Sequence, residues 1–130
     1  MLNQKQTLIT GSLFGALGVA LGAFGAHALK STLVANQSLD TYELAVRYQF
    51  YHAFALLIIG LLMDKIESKT LMSSSSCMVA GVVLFSGSLY ALAFKTGKVI
   101  VFLTPIGGLF LIAGWVLLLI SLQKGKTKKA

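Results

Sequence analysis

Residues 99–122 read VIVFLTPIGGLFLIAGWVLLLISL and contain no charged side chain, with Lys98 directly before the run and Lys124 just after it. A helix needs about 20 predominantly apolar residues to cross the roughly 30 Å hydrocarbon core of a bilayer. A soluble domain of ordinary composition does not contain such a stretch. The run therefore predicts a transmembrane helix.

Three further apolar runs precede this segment, and each is bounded by charged residues. The four predicted spans lie at about residues 7–29, 42–63, 71–94 and 99–122. Each is predicted to be helical, because unpaired backbone groups cost several kcal/mol apiece in lipid and the runs are too long for barrel strands. The predicted fold class is all-α: a polytopic membrane protein folded as a four-transmembrane-helix bundle, with residues 1–130 forming one membrane domain.

The composition agrees with this class. Hydrophobic residues make up 56% of the chain, charged residues 12%, and the mean hydropathy is +0.82. The formal net charge of +7 is compatible with nucleic acid or with anionic lipid as a partner. However, a basic tail at residues 123–130 follows the last span directly, where lysines either meet lipid headgroups at about 1 kcal/mol each or simply fix the topology. We therefore expect membrane lipids as partners and no nucleic acid.

The distribution of basic residues predicts the orientation of the chain. The side that holds both termini carries seven lysines, whereas the other side carries three lysines and Arg47. Cytoplasmic loops are enriched in lysine and arginine, so both termini are predicted to be cytoplasmic.

A competing interpretation is a cleaved signal peptide at the N-terminus. Lys5, the apolar stretch after it and the small-x-small pattern Ala26-His27-Ala28 fit such a peptide. The stretch is, however, longer than the usual ~7 to 15 residues of a signal core, so a retained first span is favoured.

The first span carries a stripe of glycines. Gly11, Gly15, Gly18, Gly22 and Gly25 are spaced four and three residues apart in alternation. At ~100° per residue they fall within an arc of ~80°, which leaves one helix face almost without side chains. Such a face lets a partner backbone approach closely in lipid. We expect the bundle to be built around this packing surface, whose partner is another helix of the chain or a second subunit.

The second span begins with an unusual density of polar residues, TYELAVRYQFYH from Thr41. Glu43 and Arg47 stand four residues apart with the acid first, the favourable order for an ion pair within a helix. At 1.5 Å per residue and counted from Asp40, Arg47 lies ~10 Å and His52 ~18 Å along the second span. Arg47 either snorkels outward and pairs with Glu43, or contributes to a polar cavity, because a charge at this depth costs ~2.5 kcal/mol or more.

Polar residues of the other spans are predicted at a similar depth, in the leaflet opposite the termini. We expect them to form one outer-leaflet polar pocket together with the second span. The predicted ligand-binding residues are His27, Glu43, Arg47, His52, Ser86, Ser88 and Thr104. In this pocket Arg47 is expected to contact an anion, and His52 is expected to respond to pH.

These residues support three hypotheses of function. The first is a non-enzymatic integral membrane protein that binds a lipid, a small ligand or a partner membrane protein through the pocket. The alternative is a proton-linked small transporter or channel, formed by a homo-oligomer, with Glu43, Arg47 and His52 as a relay. An enzyme acting on lipid is the third.

No spacing in the sequence indicates a catalytic or metal-binding motif. The two histidines, His27 and His52, are predicted at different depths and form neither an HxxxH nor an ExxH pattern. Ser86 or Ser88 could pair with His52 as nucleophile and base, but no elbow motif supports this. Cys77 is the only cysteine, so no disulfide forms within the chain. We therefore expect no cofactor, no metal, no catalytic residue and no enzyme activity.

Several short blocks carry a family resemblance that covers nearly the whole chain. They are GAFGAHAL at 22–29, YQFYH at 48–52, FSGSLY at 85–90, TPIGG at 104–108 and Gly114-Trp115. Through them the chain resembles a family of small four-helix membrane proteins, domain of unknown function 423, which includes bacterial YgdD and YwdK and is related to vertebrate transmembrane protein 256. The resemblance implies a bacterial-type plasma (inner) membrane protein and brings no established activity.

Overall fold

The computed structural model describes residues 1–127, without the side chains of residues 98 and 99. Helices make up most of this part of the chain. In order, the elements are α1 (Gln4–Ala26), α2 (Lys30–Ala35), α3 (Leu39–Lys65), β1 (Ile66–Glu67), α4 (Lys69–Ala93), a 3-10 helix (Lys98–Phe102), α5 (Leu103–Lys124) and β2 (Lys126–Thr127).

Four helices are long and apolar enough to cross a membrane: α1, α3, α4 and the segment Ile100–Lys124, which contains α5. The predicted all-α class with four spans is therefore confirmed. The first helix ends at Ala26, earlier than the predicted boundary at residue 29, because the backbone N–H of Leu29 turns back to the carbonyl of Phe24. The short helix α2 then occupies part of the predicted connection to the second span.

The spans alternate in direction, so that both termini lie at one end of the bundle, here called the terminal end. The opposite end, where α1 ends and α3 begins, is called the distal end. At the terminal end β1 pairs antiparallel with β2, with Ile66 opposite Thr127 and Glu67 opposite Lys126. Through this pairing, the connection between α3 and α4 is hydrogen-bonded to the residues that follow α5.

The spans pack in chain order, α1 on α3, α3 on α4 and α4 on α5. Within the most apolar window of each helix, 44% of α3 but only 17% of α1 is buried. The expectation of a bundle built around the first helix is therefore wrong. Since α1 buries a single narrow face, it lies at an edge, and α3 occupies the interior.

The glycine stripe of α1 meets α3 of the same chain. A Cβ on Gly18 would lie 2.8 Å from Cε2 of Phe50, and one on Gly25 would collide with Tyr42. Gly11 is also in close contact, with the Ala53 carbonyl oxygen 3.1 Å from its Cβ position. Glycine at these positions lets the rings and backbone of α3 rest directly on α1.

The two other glycines of the stripe are less crowded. Nothing lies within 4 Å of a Cβ placed on Gly15, and the nearest atom to one on Gly22 is Cγ1 of Val46 at 3.5 Å. The glycines in close contact with α3 are thus Gly11, Gly18 and Gly25, which are seven residues apart. Gly15 and Gly22 lie beside this contact face.

A second glycine contact joins α4 to α5. A Cβ on Gly107 would collide with the backbone nitrogen of Phe85 and lie 2.8 Å from the carbonyl carbon of Leu84. Pro105 stands just before this contact, in the first turn of α5, where a missing N–H removes no hydrogen bond within the helix. Because residue 107 has no side chain, the backbones of α4 and α5 can touch soon after α5 begins.

Candidate functional site

The seven residues predicted to line one pocket lie in separate places. Glu43 and Arg47 line a groove between α1 and α3, whereas His52, Ser86, Ser88 and Thr104 make contacts within or between helices. His27 is exposed at the C-terminal cap of α1 and is not among the groove residues. A helix presents different faces to different neighbours, so similar depth did not place these side chains together.

The groove opens at the distal end and has a volume of about 410 Å³. We call it the α1–α3 groove. Its lining consists of Gly22, Gly25 and Ala26 from α1, and Tyr42, Glu43, Val46, Arg47 and Phe50 from α3. One wall is therefore nearly bare backbone, and the other carries apolar rings and two opposite charges.

Glu43 and Arg47 are both exposed at this groove. Within residues 1–127 neither side chain forms a hydrogen bond or an ion pair, so the predicted pair between them is absent. Counted from Leu39, the first residue of α3, Glu43 lies ~6 Å and Arg47 ~12 Å along the helix. A cation about two turns inside a span thus has no partner in the described chain.

Tyr42 fixes the inner wall of the groove. Its hydroxyl donates to the backbone carbonyl of Leu21 at 2.6 Å, which ties α3 to α1 beside the groove. Its ring also packs edge-on against Tyr90, with ring centroids 5.2 Å apart. Tyr42 is therefore fixed by contacts with both α1 and α4.

The interior polar residues hold the helices together. The Gln49 amide donates to the carbonyl of Phe14 at 2.8 Å and accepts from the Tyr90 hydroxyl at 2.8 Å, which links α1, α3 and α4. Ser86 donates to the Ala45 carbonyl at 2.8 Å. The prediction omitted Gln49, although a lone amide well inside an apolar span is a signal of helix contact.

His52 and Trp115 form a second polar contact, on the side of α3 that faces α5. The Nδ1 of His52 lies 2.7 Å from the carbonyl oxygen of Tyr48, and the Trp115 indole N–H donates to Nε2 of His52 at 3.1 Å. Ser88 and Thr104 form a further contact between α4 and α5, with their hydroxyl oxygens 2.6 Å apart.

Every buried side-chain nitrogen or oxygen in residues 1–127 has a hydrogen-bond partner. The same residues contain no group of three or more His, Cys, Asp or Glu side chains that could hold a metal ion. Glu43 and Arg47 at the α1–α3 groove are exposed charges of this part of the chain that have no partner. Of the predicted basic tail, Lys124 and Lys126 are exposed, and residues 128–130 lie outside the described part.

Comparisons with known proteins agree with the fold. Residues 21–108 match the family described as "Protein of unknown function (DUF423)". The chain is 41% identical over 127 residues to a UPF0382 membrane protein of Haemophilus influenzae, covering 98% of this chain and 99% of the relative.

Two further relatives have similar coverage. The UPF0382 inner membrane protein YgdD of Escherichia coli is 39% identical over 127 residues, covering 98% of this chain and 96% of the relative. YwdK, a UPF0382 membrane protein of Bacillus subtilis, is 35% identical over 121 residues, covering 92% and 98%. No solved structure matches the chain. The chain therefore belongs to the DUF423 family of membrane proteins.

Proposed function

We propose that this protein is a non-enzymatic integral membrane protein that binds a membrane phospholipid in the α1–α3 groove, with the lipid phosphate on Arg47. The observation that carries the proposal is the unpartnered guanidinium of Arg47, exposed at a groove within a membrane span. The proposed lipid supplies what this part of the chain lacks, which is an anion at that depth.

The position of Arg47 is energetically costly without a partner. A charged side chain inside a span costs ~2.5 kcal/mol or more on insertion scales, so it needs a partner or water. A guanidinium binds a phosphate through two parallel hydrogen bonds, and phospholipid phosphates are the anions that every bilayer supplies. Arg47 is exposed and can reach such a group.

The shape of the groove suits the remainder of the lipid. Gly22 and Gly25 leave the α1 wall without side chains, and Val46 and Phe50 provide an apolar surface opposite. Gly25 lies against Tyr42 and Gly22 near Val46, so this open wall stands at the level of the two charges and leaves room for a headgroup. Phe50 lies beyond Arg47 and provides an apolar surface for the start of an acyl chain. An acyl chain that leaves the groove past Phe50 gains dispersion contacts with this ring.

The transporter hypothesis receives less support from the contacts. Its relay requires mobile protons between Glu43, Arg47 and His52, but His52 bonds Tyr48 and Trp115, away from the groove. The interior groups Gln49, Tyr90 and Ser86 are committed to bonds between helices. These bonds favour a static interior over a path for ions.

For the orientation, we propose that both termini face the cytoplasm. The basis is the excess of lysine at the terminal end, where Lys5, Lys65 and Lys69 are exposed. The α1–α3 groove then opens in the outer leaflet of the plasma membrane.

The experiment is lipid retention measured by native mass spectrometry. The protein is reconstituted in vesicles of equal parts phosphatidylethanolamine and phosphatidylglycerol, extracted in mild detergent and weighed. We expect phospholipid on the wild type and several-fold less on Arg47→Gln. Lys30→Gln removes an exposed cation near the same end but outside the groove, and is expected to retain the wild-type amount.

A second pair of variants tests the space beside the two charges. Gly22→Leu places a side chain in the groove, whereas Gly15→Leu adds the same side chain to α1 where nothing lies within 4 Å. We expect lower retention for Gly22→Leu alone. Equal retention by Arg47→Gln and the wild type, with both proteins folded by circular dichroism, would overturn the proposal.

A further inference from the structure

We infer that the α1–α3 groove selects a zwitterionic phospholipid with a primary ammonium group, of the phosphatidylethanolamine class, with Glu43 binding the ammonium. This inference rests on the proposed function, because it names the headgroup of the lipid whose phosphate lies on Arg47. It adds a role for Glu43, the second charge of the groove.

The order of the two charges along α3 matches the order of charges in such a lipid. Glu43 lies one turn, ~6 Å, nearer the distal end than Arg47. Both residues line the same groove, because a spacing of four residues places them on one helix face. In phosphatidylethanolamine the phosphate is attached on the side of the acyl chains, and the ammonium extends beyond it toward water. A lipid whose chains run from Arg47 past Phe50, away from the distal end, therefore presents phosphate to Arg47 and ammonium to Glu43.

The absence of an internal ion pair supports this arrangement. Glu43 and Arg47 have the spacing of a helical ion pair, yet in residues 1–127 neither is paired. Each charge is thus available to a group outside the chain. A headgroup with one negative and one positive charge satisfies both, whereas an anionic headgroup satisfies Arg47 and brings a further negative group or a neutral one to Glu43.

Hydrogen-bond chemistry separates the two zwitterionic headgroups. A primary ammonium donates up to three hydrogen bonds and forms short, charge-assisted bonds with a carboxylate. The quaternary ammonium of phosphatidylcholine has no N–H and cannot form them. The expected preference for phosphatidylethanolamine over phosphatidylcholine is about tenfold, the ratio that corresponds to one hydrogen bond to a charged group.

The test uses vesicles of equal parts phosphatidylethanolamine, phosphatidylcholine and phosphatidylglycerol with identical acyl chains, and native mass spectrometry reads the headgroup of each retained lipid. For the wild type we expect enrichment of phosphatidylethanolamine over both others. For Glu43→Gln we expect the same total lipid with the enrichment lost. Glu67→Gln changes the other glutamate, which lies on β1 at the terminal end, and is expected to keep the enrichment.

A series of lipids provides a test that needs no variant. Phosphatidylethanolamine, its N-monomethyl and N,N-dimethyl derivatives and phosphatidylcholine lose one N–H donor at each step. We expect retention by the wild type to fall along this series. Retention that depends on Arg47 but is equal for all headgroups, or highest for phosphatidylglycerol, overturns the headgroup inference and leaves the proposed function standing. Retention that does not depend on Arg47 overturns the proposed function itself.

Discussion

The indole N–H of Trp115 donates to Nε2 of His52, and Nδ1 of the same imidazole lies 2.7 Å from the carbonyl oxygen of Tyr48. A carbonyl oxygen accepts and does not donate, so the hydrogen of the ring must be on Nδ1. Nε2 is then the acceptor that the indole requires. The contact therefore holds His52 as the neutral Nδ1–H tautomer and joins the second span directly to the fourth.

Trp115→Phe tests this contact. The variant removes the donor and leaves Nε2 of a buried imidazole without a partner. We expect a loss of about 1–3 kcal/mol in the free energy of unfolding. The measurement is a denaturant titration in detergent, followed by circular dichroism. Leu109→Ala on the same helix, where the leucine side chain is 67% exposed, serves as the control and is expected to change the stability little.

The tautomer itself is measured by ¹⁵N NMR of the imidazole nitrogens. We expect a protonated Nδ1 and an unprotonated Nε2 for His52, with His27 identified by its replacement. A proton on Nε2 of His52 would contradict the hydrogen bond from Trp115.

Gly107→Ala tests the contact between α4 and α5. The added methyl group collides with the backbone of Phe85, which no rotamer change relieves. We expect a loss of about 1–3 kcal/mol, the usual cost of overpacking. Gly108→Ala is a matched control on the adjacent residue, because its nearest neighbour is the Phe85 ring at 3.8 Å. Equal unfolding midpoints for the two variants would show that α5 does not approach α4 as described.

A double-mutant cycle tests the polar link in the interior. Gln49→Leu and Tyr90→Phe each remove one partner of the 2.8 Å hydrogen bond between the Tyr90 hydroxyl and the Gln49 amide. We expect a coupling energy of about 0.6–1.7 kcal/mol from the two single variants and the double variant. Tyr51→Phe, whose ring is 57% exposed, is expected to show no coupling with Gln49→Leu. Additive effects of Gln49→Leu and Tyr90→Phe would argue against the link.

Cysteine labelling tests the orientation. In a Cys77→Ser background, Lys30→Cys places a thiol on α2 near the distal end, and Glu67→Cys places one at the terminal end. With termini in the cytoplasm, a membrane-impermeant maleimide should label residue 30 in intact bacterial cells. Residue 67 should become labelled only after permeabilisation. The opposite pattern would invert the proposed topology.

The fold was predictable because bilayer thickness leaves few alternatives. Charges such as Lys98 and Lys124 limit the apolar runs, and an apolar run of that length must form a helix in lipid. The partner of the glycine stripe was less predictable. A bare helix face indicates close packing but does not identify the helix that packs there. The α3 residues that meet it, such as Tyr42 and Phe50, carry no mark of that contact in the sequence.

The composition of the site was predicted only in part. Depth arithmetic gave the level of Glu43 and Arg47, because rise per residue is constant in a helix. It could not give the rotation of one helix relative to another. That rotation directs His52 toward Trp115 and Ser86 toward the Ala45 carbonyl, away from the groove. Of the seven residues predicted to line one pocket, only Glu43 and Arg47 line the α1–α3 groove.

Solid-state NMR can test directly whether a lipid phosphate lies on Arg47. Arg47 is the only arginine in the chain, so ¹⁵N-labelled arginine marks a single guanidinium group. The measurement is ¹⁵N–³¹P dipolar dephasing in vesicles of phosphatidylethanolamine and phosphatidylglycerol. We predict dephasing at the distance of a direct guanidinium–phosphate contact, strongly reduced in Gly22→Leu. A guanidinium signal without ³¹P dephasing in the wild type would contradict the proposed contact between Arg47 and a lipid phosphate.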